Sequence, residues 1–507
     1  MLKETPRLVW LVYAAAVSVA AIAFATMPWW TVDDAFISYR YGYNLLHHGQ
    51  LTWNAGQIPM VEGYTGILLP LLAAGILALE LPLVLTFKVL GIAAILGLLR
   101  VVSKFLQNHG VSRLGQSLAI LGLVANPLIY MHGISGLETI FFTFFVTAGI
   151  LQFGMLGAEI RHAWLSALFV LLAGLCRPEG IALAVLLFGW LFVAAAKTRF
   201  KTGKNIRLIW MGAVAALLLA FWVWRSLYYG NLLPNSFHAK SFEGLINWES
   251  ALALGKFIGY YCFLPAVCCG VAHFGFRGQK NALINPAVIV TVLFAGICSL
   301  TYLHSNLWMN YGSRFFFPFL PLVVVGVTTL LASNWQQRMA SPSQEGGFTK
   351  RIRLVFFILA VVQMGILGYR FKQEWAFLHY YHAIVEDELI TVGKFLAATL
   401  PQDATVISYM DAGAVGYYSK LKIIDFGRLS DPFLAQSKLT QAEVMDYFFS
   451  MDADAVVMTS QSEFEYDYIA EAEAIVSDPR FDAYALKQQW GNRVGYPYWQ
   501  RLYLKRP

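Results

Sequence analysis

Residues 26–50 read TMPWWTVDDAFISYRYGYNLLHHGQ. An apolar run that begins near Leu8 ends here at Trp29 and Trp30, and two adjacent carboxylates, Asp33 and Asp34, follow at once. The run is too long for a signal-peptide core and no small-residue cleavage site follows it. It reads as an uncleaved membrane helix with its tryptophans in the interfacial belt. The composition agrees: of 507 residues, 58% are hydrophobic and 13% charged, against about 25% charged in a soluble domain. The stretch therefore sets a paired acid at the edge of a bilayer.

Further apolar runs lie at 83–101, 117–134, 139–158, 163–177, 180–196, 208–228, 253–275, 283–303, 318–333 and 354–371. The positive-inside rule orients them. KTRFKTGKNIR (197–207) carries five basic residues and no acid, which makes it cytoplasmic, and RGQK (277–280) and KRIR (350–353) agree. Counting outward, the loop at 31–65 lies on the opposite face. So do SGLET (135–139), LCRPEG (175–180), YYGNLLPNSFHAK (228–240), HSNLWMNYGSRFFFP (304–318) and everything past about 371. Residues 66–101 are too long for one straight crossing at about 1.5 Å per residue, and Pro70 and Pro82 interrupt them. We read 66–80 as an interfacial or re-entrant piece and 83–101 as the crossing; a two-helix hairpin is the alternative. The expected fold class is an α-helical polytopic membrane protein of about eleven crossings, N-terminus inside and C-terminus outside.

Residues 1–371 hold 25 Lys/Arg against 11 Asp/Glu, whereas 372–507 hold 12 against 19. The basic excess falls between apolar runs, which marks cytoplasmic loops and excludes nucleic acid as the partner. After residue 371 charges become frequent, and ATVISY, KIIDF, DAVVMT and RLYLK read as strands between helical stretches. The expectation is a membrane module over 1–371 and a small α/β domain outside the membrane over 372–507. The five cysteines lie in or beside apolar runs, and neither a disulfide framework nor metal-ligand spacing follows from them.

The outer loops collect the polar residues: Asp33, Asp34, Arg40, His47, His48, Glu62, Glu138, Arg177, Glu179, His238, Lys240, His304, Tyr311 and Arg314. Ionisable groups beside a membrane are costly and mark sites. Each has a structural alternative. Asp33 caps a helix starting at Ala35, Arg40 snorkels, Glu138 is a first-turn acid, and Arg177 pairs with Glu179 across Pro178. FFF (315–317) reads as lipid-facing packing. A paired acid suits a general base acting on an acceptor hydroxyl. The outer cations Arg314, Lys240 and Arg40 suit the phosphate of a donor. A substrate with both phosphate and lipid tail, a polyprenyl-linked sugar, explains a site at the bilayer surface.

The acidic pair directly after the first helix resembles the GT-C glycosyltransferases. DDAFISYRYGYNLLHHGQLTWNAGQIPMVEGYTG is similar to the branch that includes terminal arabinofuranosyltransferases of cell-wall arabinan and bacterial pilin arabinosyltransferases. SGLETIFF, CRPEG, YYGNLLPNSFHAK, GSRFFFPFLP and GYYSKLKIIDFGRLSDP follow in the same order, so the resemblance spans about residues 30–435. It implies inverting transfer of a sugar, arabinofuranose first, from a polyprenyl monophosphate to a hydroxyl of an extracytoplasmic glycan or pilin-like protein. It implies Asp33 as base, with Asp34 in support or on a divalent ion, Mg2+ or Mn2+. Glu62, Tyr64, Glu138, Arg177, Glu179, His238 and Tyr311 are the expected substrate-binding set. Asp411 and Asp425 read as structural loop acids with an acceptor role as the alternative. The implied location is the bacterial inner membrane, with the site on its outer face. Competing functions are a lipid-linked sugar transporter, whose ionisable groups should sit on broken helices at mid-membrane, and an O-antigen-ligase-type enzyme using a pyrophosphate-linked oligosaccharide.

Overall fold

The computed structural model describes residues 6–155, 160–197, 205–242, 244–263, 286–307, 309–340, 347–466, 470–492 and 497–507. Helix α1 (Pro6–Thr26) leads to α2 (Asp33–His48), α3 (Leu68–Ala78), α4 (Leu83–Asn108), α5 (Arg113–Val124), α6 (Pro127–Ile134) and α7 (Thr139–Gly154). Then come α8 (Ile160–Cys176), α9 (Glu179–Lys197), α10 (Asn205–Tyr229), the short α11 (Asn235–His238), α12 (Trp248–Tyr261), α13 (Pro286–Leu303), α14 (Leu320–Ala340) and α15 (Gly347–Ala383). Among the described residues six helices are long and apolar enough to cross a membrane, or seven if the pair α5–α6, bent by 59°, counts as one span. The other expected runs form shorter apolar helices (α7, α8), lie inside α15, or start in α12 and continue outside the described residues. The stretch 66–80 forms only the 11-residue α3, and the span after it is the 26-residue α4.

Local signals explain the breaks. Asn126 caps α6 by accepting the Leu128 N–H, with Pro127 in the first turn. Gly49, at φ 66°, closes α2 after His48. Trp29 is 48% exposed, as an interfacial residue should be, but Trp30 is fully buried between Tyr311 and Tyr381, both edge-on to it. The FFF stretch also departs from expectation: Phe315, Phe316 and Phe317 are all buried core, because residues 311–319 fold as two short turns that press them inward.

The expected domain boundary at 371/372 falls inside α15, which runs on to a π-helical turn over Ile384–Leu389 and α16 (Ile390–Thr399). Beyond these, β1 (Thr405–Tyr409), α17 (Ala412–Ser419), β2 (Lys422–Asp425), β3 (Ala455–Ser460), β4 (Tyr484–Asn492) and β5 (Tyr498–Lys505) build one sheet in the order β2-β1-β3-β5-β4. β1 is parallel to β2 and β3, while β5 runs antiparallel to β3 and β4. β4 was missed in the sequence. Lys487, Gln488 and Gln489 give an edge strand no apolar alternation to read.

Candidate functional site

The loop between α1 and α4, residues 31–65, and the sheet domain are locked together. Arg40, in α2, donates to the carbonyls of Trp53 (2.7 Å), Gly416 and Leu421 (2.6 Å) and to Asn54 Oδ1 (2.8 Å), with its guanidinium over the Trp53 ring. Trp53 Nε1 donates to the Ile423 carbonyl at 2.9 Å. Asn54 donates to that carbonyl (2.9 Å) and accepts the Ile423 N–H (3.0 Å), so a side-chain amide pairs the open edge of β2. Asn235 donates to the carbonyls of Arg428 and Leu429 at 3.1 and 3.0 Å. Arg40 therefore neither snorkels nor offers itself to phosphate, because its donors already hold protein oxygens and it is 4% exposed.

The acidic pair divides. Asp33 is the first residue of α2, where Val32 is the cap, so it does not cap its own helix. Its carboxylate caps α17 instead: Oδ1 accepts the Ala414 N–H at 2.7 Å and Oδ2 the Gly413 N–H at 3.0 Å. Gly413 permits this, since a Cβ there would lie 2.1 Å from the Asp33 carbonyl oxygen. Burial drives the Asp33 pKa up to about 7; the charges of Asp34 and Asp425 push the same way and the two N–H groups oppose it. Asp34 points elsewhere and accepts from Arg314 Nη1 at 3.3 Å, with its side chain 19% exposed.

Three cations converge beyond Asp34. The guanidinium carbons of Arg314 and Arg177 lie 5.1 and 5.3 Å from the Phe315 ring centre, and Lys240 Nζ lies 5.4 Å from it. Such contacts attract a cation to a ring face, yet three on one ring repel one another. Burial, then Arg314, lowers the Lys240 pKa to about 8. Arg177 is bound on both sides, to Glu179 at 2.8 Å and to Glu138 at 3.2 Å, and Tyr302 donates to Glu179 at 2.7 Å. Arg314 Nε is buried with no partner among the described residues. Tyr311 lies under the Arg314 guanidinium at 5.3 Å. The cluster thus has donors to spare for an anion.

Glu62 and Tyr64 form a second set. Arg225 Nε donates to Glu62 at 3.1 Å with Nη2 on its other oxygen, and Arg225 also binds the carbonyls of Asn231 and Leu232. The Tyr64 hydroxyl meets that of Tyr229 at 3.0 Å. A small cavity is bordered by Glu62, Thr65, Pro178, Trp222 and Arg225. His238 has its ring edge-on to Phe237 and its carbonyl on Ser241, and does not join the cluster. Asp425 is the last residue of β2, and not a loop acid as expected; its carboxylate accepts the N–H groups of Gly427 and Ser430 in the turn that follows, at 2.8 and 2.7 Å.

Among the described residues no three His, Cys, Asp or Glu side chains converge as ligands, and Asp34 faces Arg314, whose charge repels a second cation. Sequence reasoning missed Lys88, Arg225 and Glu388. The first two were visible as lone charges within apolar runs. Glu388 lies in the π-helical turn, 2% exposed, with both carboxylate oxygens unpartnered among the described residues and its pKa raised by burial to about 8.

The fold is similar to that of solved glycosyltransferases. The fold is similar to that of ArnT from Cupriavidus metallidurans bound to undecaprenyl phosphate, at TM-score 0.59 and 12% identity over 98% of each chain. It is similar to the oligosaccharyltransferase AglB of Archaeoglobus fulgidus, solved with an inhibitory peptide and a dolichol-phosphate: TM-score 0.56, 10% identity, 88% of this chain and 69% of that one. It also matches the mycobacterial arabinofuranosyltransferase AftD, with TM-score 0.53 and 14% identity over 97% of this chain and 41% of that one. Residues 373–503 match the family described as "Domain of unknown function (DUF8728)". No curated protein matches the chain in sequence.

Proposed function

We propose that this chain is an inner-membrane glycosyltransferase. It moves a sugar, arabinofuranose first among candidates, from a polyprenyl monophosphate to a hydroxyl of a glycan or pilin-like acceptor on the outer face. The observation that carries the proposal is the gathering of Arg177, Lys240 and Arg314 around Phe315, next to the acidic pair. The leaving phosphate takes the free donors of Arg314 and Lys240, with Tyr311 beneath. Asp33 takes the acceptor's proton as its oxygen attacks the anomeric carbon, and the carbon–oxygen bond to phosphate breaks with its electron pair going to phosphate. Asp34 keeps Arg314 aimed at that oxygen. A pKa near 7 suits a base at neutral pH. Each Asp33 oxygen has a second lone pair besides the one facing α17, and acceptor access displaces the first turn of that helix. Two of the fold neighbours were solved with undecaprenyl phosphate and with a dolichol-phosphate, which supports a lipid phosphate as donor here.

The test is purified protein in nanodiscs, given a panel of polyprenyl-phosphate sugars with candidate acceptors, and the product weighed by mass spectrometry. A pentose added to the acceptor is the expected result. Transfer only from pyrophosphate-linked oligosaccharide would replace this reading with the ligase one, and movement of donor across the bilayer without transfer would replace it with the transporter.

A further inference from the structure

Lys88 stands in α4 and is 4% exposed. Its ammonium, with three N–H groups, lies within hydrogen-bond reach of four oxygens: the carbonyls of Trp29 (2.9 Å), Trp30 (2.5 Å) and Ile134 (3.2 Å) and the Thr31 hydroxyl (2.9 Å). Among the described residues no carboxylate lies at ion-pair distance from it. A buried cation held by neutral oxygens is costly, so its place needs a reason. The oxygens supply one. Residues 29–31 connect α1 to α2 without helical bonds, and Ile134 is the last residue of α6, where carbonyls have no partner within the helix. The two segments are stitched once more by the Val32 N–H on the Ser135 carbonyl, at 3.0 Å. Close approach makes the reach possible: a Cβ on Gly91 would lie 1.8 Å from the Gly133 carbonyl oxygen, so α4 presses directly on α6 one turn beyond Lys88.

One segment leads straight into Asp33 and Asp34, and the other into Glu138, which binds Arg177. We propose that Lys88 is a positioning residue that fixes the acidic pair relative to the cation cluster by tying the two outer loops to α4. An uncharged apolar residue takes the donor from three buried oxygens, those of Trp30, Thr31 and Ile134, and the segment before Asp33 then loses its register with α6. Arginine keeps charge and donors but is longer, so it restores the ties only in part.

The kinetic side of this inference rests on the proposed transfer reaction; the geometric side does not. The experiment uses full-length protein in nanodiscs, as wild type, Lys88→Met, Lys88→Gln and Lys88→Arg, with folding followed by thermal unfolding. Carbodiimide labelling of Asp33 and Asp34, read by mass spectrometry against pH, reports their setting without any activity. The expected result is several-fold faster labelling of Asp33 in Lys88→Met with a displaced pH midpoint, and partial return in Lys88→Arg. In transfer assays kcat should fall about 100-fold, as for a reacting group displaced by an ångström, while donor KM stays near wild type. If Lys88→Met does not fold, Lys88→Gln carries the same comparison. Labelling rates and midpoints equal to wild type in the folded variants overturn the proposal, whatever the activity. A wild type that labels as expected but transfers nothing overturns the proposed reaction and leaves the positioning role standing.

Discussion

Asp33 accepts the N–H of Ala414 at 2.7 Å, across 381 residues of chain. The bond joins the first residue of α2 to the first turn of α17, and the Gly413 N–H completes the cap at 3.0 Å. A carboxylate at a helix N-terminus is held by the dipole as well as by its bonds. Protonation of Asp33 and docking of the sheet domain are therefore linked.

Gly413→Ala tests the docking. The added Cβ would meet the Asp33 carbonyl oxygen at 2.1 Å and its Oδ2 at 2.8 Å. Backbone at this place has no room to yield, so α17 should lift from α2. Each buried group left unpaired costs roughly 1–3 kcal/mol. A lower thermal midpoint and new proteolytic cleavage near residues 400–420 are expected. Wild-type melting and digestion would contradict the contact.

The pH dependence follows from the raised pKa of Asp33. Between its ordinary 3.8 and about 7 the unfolded chain has released the proton while the folded chain still holds it. The folded state binds more protons in that window, so Asp33 withdraws stability as pH rises through it. Catalysis runs the other way, because a base must be ionised, and kcat/KM should climb to a plateau above about 7. Melting and transfer measured across the window check both limbs. A flat rate profile would remove Asp33 as the titrating base.

The fold was largely legible because bilayer physics writes it in long apolar runs, and the parity of basic loops grouped Asp34, Glu138, Arg177, Lys240 and Arg314 correctly in one region. The roles within the motif were less legible. Arg40 reads as a phosphate ligand in the sequence, yet together with Trp53 and Asn54 it holds Gly416, Leu421 and Ile423 of the sheet domain. Polar residues chosen to satisfy a distant backbone carry no local signal of their partner. Phe315 was misread for a related reason: hydropathy cannot tell a ring that faces lipid from one that gathers three cations.

Arg314 should bind donor phosphate through its fork. Arg314→Ala is expected to weaken binding of a polyprenyl phosphate by about 2–5 kcal/mol, as when one partner of a buried charge pair is removed. Arg314→Lys should recover part of this, since the charge returns without the planar geometry. Titration of the lipid phosphate into each variant in nanodiscs reads the affinities. An affinity in Arg314→Ala equal to wild type would take this residue out of the site.

Orientation is tested at Ser477, which is exposed in the sheet domain at the end of a helix over Ala470–Ser477. A single cysteine there, in a background free of the five native cysteines, should react with a membrane-impermeant thiol reagent in intact spheroplasts. Ser430 is unsuitable for this purpose because it is 3% exposed. Reaction at Ser477→Cys only after lysis would invert the topology and move the site to the cytoplasm.

The acidic pair itself gives the sharpest test. Successive helical residues point about 100° apart, and here that rotation sends Asp33 toward α17 and Asp34 toward Arg314. Asp33→Asn removes the base and also one of the two acceptors for the α17 N–H groups, because an amide has a single carbonyl oxygen. Turnover should be lost, with a modest fall in thermal midpoint and donor binding near wild type. Asp34→Asn leaves α17 capped but frees Arg314 from its anion, so donor binding should change first and turnover fall less. Measuring turnover, donor affinity and melting together separates the two roles. Full loss in Asp34→Asn with turnover kept in Asp33→Asn would make Asp34 the base and Asp33 purely the cap that docks the sheet domain. Turnover kept in both would leave the pair as structure alone, and the proton would have to go to another carboxylate near α17, of which Asp411, at the start of that helix and raised in pKa by burial and then by the Asp33 charge, is the first to substitute.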